Sequence, residues 1–85
     1  MTNVEAFNKI KVLIDKYVAP ANKDALANAT SDTKFLADLK INSARLVDII
    51  LDMETEFDIT VSDDEAETIR TLGSAADLIA AKTNG

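Results

Sequence analysis

The sequence contains no cysteine, no histidine and no tryptophan, only two glycines and one proline, and no long apolar run. Each absence removes a class of structure or chemistry. Without cysteine there is no disulfide framework and no thiolate metal site; without histidine the commonest zinc ligand and the commonest general base are both missing. Most catalytic constellations are thereby excluded, and no metal site is expected. No stretch approaches the ~18 apolar residues of a membrane span. Residues 1–6 carry neither the basic region nor the apolar segment of a secretion signal, so a cytoplasmic location without stable membrane insertion is expected. Few turn formers beside abundant Ala, Leu, Lys and Glu favour helices over strands.

What is present describes a small folded module. Of 85 residues, 47% are hydrophobic and 28% charged, a balance of globular rather than disordered chains. A single domain over residues 1–85 is expected, burying only about 60% of its unfolded surface, with one modest core. The net charge of −6 repels phosphate backbones, so nucleic acid is an unfavourable partner and proteins with basic patches are favourable ones. Nine of the fifteen carboxylates lie between Asp48 and Glu67, and no basic residue occurs between Arg45 and Arg70. That segment presents one acidic surface.

Apolar spacing outlines the elements. Val4, Phe7, Ile10, Ile14 and Tyr17 recur at helical intervals, predicting a helix over about 3–18 that stops before Pro20. From Pro20 to Lys40 no period is sustained, and a long ordered loop pinned by Leu26, Phe35, Leu36 and Leu39 is expected. A second helix over 43–57 follows an Asn42 cap, with Leu46, Ile49, Ile50, Met53 and Phe57 as its buried stripe and Leu51 facing water among acids. Ser62 and Glu65 form a capping box for a short third helix over 62–69, and Thr71 or Ser74 caps a last helix over 72–82 with Leu72, Ala75, Leu78 and Ile79 inward. The expectation is an all-α, small four-helix bundle with a long first loop and a short third helix. Asp52-x-Glu54-x-Glu56 lacks the glycine of a calcium loop and lies within a helix.

These residues resemble the acyl carrier proteins, from Phe35 to about Ile79 and without a gap. Phe35-Leu-Ala-Asp-Leu39 is similar to the family's approach to its modified serine, Ser43 falls at the modified position, and Val47-Asp-Ile-Ile50 continues as its second helix does. Glu54-Thr-Glu-Phe-Asp-Ile59 and Asp63-Asp-Glu-Ala-Glu67 resemble the family's acidic segments almost letter for letter. The resemblance implies a carrier rather than an enzyme: a 4′-phosphopantetheine arm, transferred from coenzyme A to Ser43 by a phosphopantetheinyl transferase, holds acyl groups as thioesters for fatty-acid or related biosynthesis. It implies docking on transferases and on acyl-transfer or synthase enzymes through Asp48, Leu51 and Glu54. It also implies shelter for an acyl chain among Leu46, Val47, Ile50, Ile69, Ala75 and Leu78, in a monomeric protein.

The departures from the family pattern lie beside Ser43. Lys40 stands where Gly is usual, Asn42 where Asp is usual, Ala44 where Leu is usual and Arg45 where an acid is common. Asn42 retains the cap without the charge. Since each ion pair lost at a partner surface costs about 1 kcal/mol or more, Lys40, Ala44 and Arg45 point to a specialised carrier with dedicated partners. Two alternatives stay open on the residues alone: a carrier of amino-acid or polyketide units, and an unmodified carrier-like acidic interaction module.

Overall fold

A computed structural model describes residues 1–83, and the regular elements among them are helices: α1 (Asn3–Ile14), α2 (Lys23–Ala27), α3 (Ser43–Phe57), α4 (Asp63–Ala66) and α5 (Leu72–Thr83). Thr2 starts α1 with a capping box; its hydroxyl accepts the Glu5 amide at 3.1 Å while the Glu5 carboxylate accepts the Thr2 amide at 3.3 Å. The helix does not run as α-helix to Val18. It tightens into a 3₁₀ turn at Asp15–Tyr17, and Val18 is already extended (φ −93°, ψ 124°) on the approach to Pro20.

Pro20–Lys40 holds more regular structure than its sequence spacing predicts. A 3₁₀ turn at Pro20–Asn22 leads into α2, which buries only Leu26 and is too short to show a periodic stripe. Lys23 ties this segment back to the end of α1, its ammonium 3.1 Å from the Asp15 carboxylate and also bonded to the Asp15 carbonyl. Further on, the chain lies against the start of α5. The Phe35 amide donates to the Arg70 carbonyl at 3.1 Å, Leu72 to Thr33 at 3.0 Å and Gly73 to Ser31 at 2.9 Å, closing an antiparallel bridge between Lys34 and Thr71.

The core forms where α1 meets α5. Ala6 on one helix and Ala75 and Ala76 on the other are buried, and their small side chains let the axes approach while Ile10, Ile14, Leu72 and Ile79 fill the interface. From α3 come Ile49 and Met53, and the connection contributes Val18, Leu26, Phe35, Leu39 and Ile41; no polar side chain is buried among the described residues. Val4, expected on the buried stripe of α1, is 65% exposed, because the inward arc is centred on Ala6, Ile10 and Ile14. On α5, Ala76 takes an inward place and Leu78 is only half-buried.

Capping sets the remaining ends. Ser62 and Glu65 form their reciprocal box, but α4 stops at Ala66 rather than Ile69, because Thr68 and Ile69 donate to carbonyls three residues back and this turn carries Ile69 into the core. Thr71 caps α5: its hydroxyl accepts the Ser74 amide at 3.1 Å, and the Ser74 hydroxyl accepts the Thr71 and Arg70 amides, each at 3.0 Å. Two non-glycine residues, Lys40 (φ 58°) and Asp58 (φ 53°), have left-handed backbones, so the residue standing where the family pattern has Gly is held in the conformation that favours Gly.

Two substitutions test this packing. A Cβ at Gly73 would lie 2.8 Å from the Ser31 carbonyl oxygen and 2.9 Å from its Cβ, so Gly73→Ala lowers stability by about 1–3 kcal/mol in urea denaturation by prising the connection from α5. Lys40→Gly removes left-handed strain at the cost of extra unfolded-state freedom, and raises stability by about 0.5–1 kcal/mol in the same measurement.

Candidate functional site

The amino end of α3 is the most chemically specific place in the fold. Asn42 has extended backbone (φ −78°, ψ 164°), and its side-chain oxygen accepts the Arg45 amide at 2.8 Å, starting the helix at Ser43. Ser43 is exposed, and its hydroxyl enters no hydrogen bond among the described residues. The Ser43 and Ala44 amides belong to the first turn, where no preceding helical carbonyl is available to them. With the positive end of the helix dipole behind it and no acid in that turn, Ser43 oxygen suits an anionic substituent.

At about 100° per residue, α3 divides the residues that sequence reading grouped together. Ser43, Val47, Leu51 and Glu54 follow one side, where Val47 (57% exposed) and Leu51 (55% exposed) form an adjacent apolar pair in water. Arg45, Asp48 and Asp52 lie across the helix. The docking set expected around Ser43 is therefore split. Arg45 Nη1 reaches Asp48 Oδ2 at 3.3 Å, an exposed pair that partly neutralises an acid expected to face partners. Glu54 is half-buried, and its carboxylate accepts the Val61 amide at 3.0 Å, fastening the link that follows α3. Local spacing cannot reveal that return of the chain. Lys40 and Ala44 are exposed, as docking residues would be.

The residues expected to line an acyl shelter also separate. Ile69 and Ala75 are closed into the core, Leu46, Ile50 and Leu78 are half-buried along its edge, and Val47 is turned to solvent, rotated by one residue from the inward arc. A cleft of about 720 Å³ lies elsewhere, between α1 and α3, beside Lys9, Val12, Lys16, Asp52 and Glu56.

One constellation was not anticipated. Tyr17 Oη donates to Asp52 at 2.5 Å, and Lys16 Nζ stands 3.1 Å from the same carboxylate, joining the end of α1 to the middle of α3. The available signal was the polar tip of a half-buried tyrosine, which requires a partner. The tyrosine hydrogen bond, followed by that of Lys16, holds Asp52 below the usual carboxylate range. Reciprocally, the Asp52 hydrogen bond and then burial push Tyr17 up to about 12. Glu65 is likewise lowered, first by the Ser62 amide and then by Lys82, whose ammonium is 2.9 Å away.

Comparison with known proteins bears on what this geometry serves. The family described as the phosphopantetheine attachment site matches residues 21–79. An acyl carrier protein of Lactobacillus acidophilus is 44% identical over 80 residues, covering 93% of this chain and 94% of that protein. The chain belongs to the acyl carrier protein family. An acyl carrier protein of Picosynechococcus is 37% identical over 82 residues, covering 95% of each chain. The solved acyl carrier protein of Enterococcus faecalis, described for its high thermal stability, superposes with a TM-score of 0.73 at 26% identity, over 96% of this chain and 99% of that one. The small helical bundle is thus the acyl carrier fold.

The Tyr17–Asp52 contact makes a pH prediction for this carrier. Asp52 is lowered in the native state, so its contribution to stability is present above the ordinary carboxylate pKa of about 4 and is lost as pH falls through the native value. Tyr17 is raised, so its contribution is present below about 10 and is lost as pH rises through about 12. Tyr17 is the sole tyrosine. Tyrosinate absorbance therefore reports it alone, with a midpoint near 12 that moves back toward 10 in Asp52→Asn. An unmoved midpoint in that variant refutes the contact.

Proposed function

We propose that this chain carries acyl intermediates as thioesters on a 4′-phosphopantetheine arm joined to Ser43. The family assignment makes it a phosphopantetheine-bearing acyl carrier; the reading of Ser43 as the attachment point is supported by one observation above others. Ser43 is the exposed first residue of a capped fifteen-residue helix whose first turn holds no acid. The arm supplies the terminal thiol that a chain without cysteine cannot. What the protein's own residues do is position and protect: Asn42 fixes the helix start, and the free first-turn amides would stabilise the negative charge of a phosphoester on Ser43. Leu46, Ile50 and Leu78, each half-buried against the core, are the residues that would shelter an acyl chain.

The chain itself acts as a substrate of other enzymes rather than as a catalyst, and it works as a monomer in the cytoplasm. No helix among the described residues is long and apolar enough to cross a membrane. Val47 and Leu51 provide the apolar centre of a docking face along the Ser43 side of α3. Burying that pair against a partner contributes about 25 cal/mol per Å². Asn42 and Arg45 stand where acids are usual in the family and Lys40 adds a cation where Gly is usual, which favours dedicated partners over shared ones.

Intact mass after coexpression with a broad-specificity phosphopantetheinyl transferase tests the attachment. The added mass of one arm is expected on the natural chain and is absent from Ser43→Ala; an unmodified natural chain would point instead to an interaction module. The dedicated-partner reading is tested with Asn42→Asp, Ala44→Leu and Arg45→Asp combined. A standard holo-carrier synthase is expected to modify that variant at least about tenfold faster than the natural chain, and equal rates would sink the idea.

A further inference from the structure

Arg45 does not stand alone on the far side of α3. With Lys16, Tyr17, Val18, Ala19 and Pro20 it lines a cleft of about 500 Å³ between the end of α1 and the start of α3. Two of these six residues are cations and none is an acid, in a chain of net charge −6. The carboxylates that pair with the two cations, Asp52 and Asp48, lie outside the lining. Both pairs are surface contacts, with the Lys16 and Arg45 side chains 67% and 62% exposed, so water and salt already compete for them. Tyr17 keeps its hydrogen bond to Asp52 at 2.5 Å, which leaves that carboxylate satisfied when Lys16 turns to another anion. Lys16 also sits 5.3 Å from the centroid of the Tyr17 ring, which holds its ammonium at the rim.

A further cation belongs to the same end of the molecule. Lys40, three positions before Ser43, is exposed and keeps a left-handed backbone that glycine would adopt without strain. Backbone strain maintained under an exposed charged side chain is a reason to look for what the charge meets.

We propose that the cleft bounded by Lys16, Tyr17, Pro20 and Arg45 is a second docking surface, and that it receives an aspartate or glutamate side chain flanked by apolar residues on a partner enzyme. The cations take the carboxylate, while Val18, Ala19, Pro20 and the Tyr17 ring offer apolar contact to the residues beside it. Because Arg45 lies across α3 from Ser43, Val47 and Leu51, a partner using both surfaces straddles the start of the helix. It must carry an acidic element on one side and an apolar one on the other, which a uniformly basic patch cannot satisfy. A second copy of the chain would also bring carboxylates. Such a contact would appear as self-association of the chain through its acidic α3–α4 surface, which the titration below detects separately.

The inference deepens the reading of Ser43 as the modified residue, and the two can fail separately. Nitrogen-15-labelled full chain without the arm is titrated at low salt with acetyl-Leu-Asp-Glu-Leu-amide, and in parallel with the neutral acetyl-Leu-Asn-Gln-Leu-amide. The acidic peptide is expected to give saturable amide shifts at Tyr17, Ala19 and Arg45. Combined Lys16→Gln and Arg45→Gln should weaken the affinity about fivefold, and salt at about 0.2 M should weaken it similarly. Equal shifts with the neutral peptide overturn the proposal, as do shifts confined to Val47 and Leu51 or the lack of any saturable change. Concentration-dependent shifts at the cleft without peptide would give it to a second copy, and likewise overturn it. None of these outcomes depends on the arm, whose attachment is decided by the mass of Ser43→Ala.

Discussion

The position of Ser43 depends on how the long connection from α1 is anchored. Phe35 is fully buried, its amide bonds to the Arg70 carbonyl and its own carbonyl accepts the Ile41 amide at 3.1 Å, so one residue ties the connection both to the start of α5 and to the approach to α3. Gly73 makes the contact possible, since the Ser31 carbonyl passes where a side chain would be. Through Leu39 and Ile41, which are buried beside the strained Lys40, the anchor delivers the chain to Asn42 in the extended conformation a cap needs. Helix start, exposed serine and first-turn amides all follow from that delivery.

Charge is arranged on this scaffold more finely than a net value of −6 suggests. No charged side chain is buried among the described residues, so the ionic contacts act at the surface, where each pair contributes about 0–1 kcal/mol. Their value lies in geometry. Lys16, Tyr17 and Asp52 set α1 against α3, Glu65 and Lys82 set α4 against α5, and Glu54 restrains the link between α3 and α4. Carboxylates that would otherwise form one acidic field are thereby divided between internal fastening and outward display. The apolar pair Val47 and Leu51 remains exposed to water, in keeping with the docking face proposed for that side of α3.

The helices were legible where the sequence carries its own boundary signals. Asn42 before Ser43, the Ser62 and Glu65 box, and Thr71 with Ser74 are local devices, each completed within four residues, and the structure uses all of them. Illegible segments lacked such devices or were too short for a period. α2 buries one side chain, and the bridge between Lys34 and Thr71 joins residues far apart in the chain. The same distinction runs through the site. Ser43 and exposed Leu51 could be read from helical spacing; the diversion of Glu54 to Val61 and of Asp52 to Tyr17 could not.

The sequence by itself determined the all-helical class, the family and the serine that begins α3, because capping and periodicity act over one or two turns and composition needs no partner. Only the tertiary structure decided which face of each helix is free. Arg45 and Leu51 are six positions apart on one helix, yet the approach of α1 gives Arg45 a basic cleft and leaves Leu51 to open water. Periodicity specifies which residues share a side, whereas the identity of each side is set by what packs across from it.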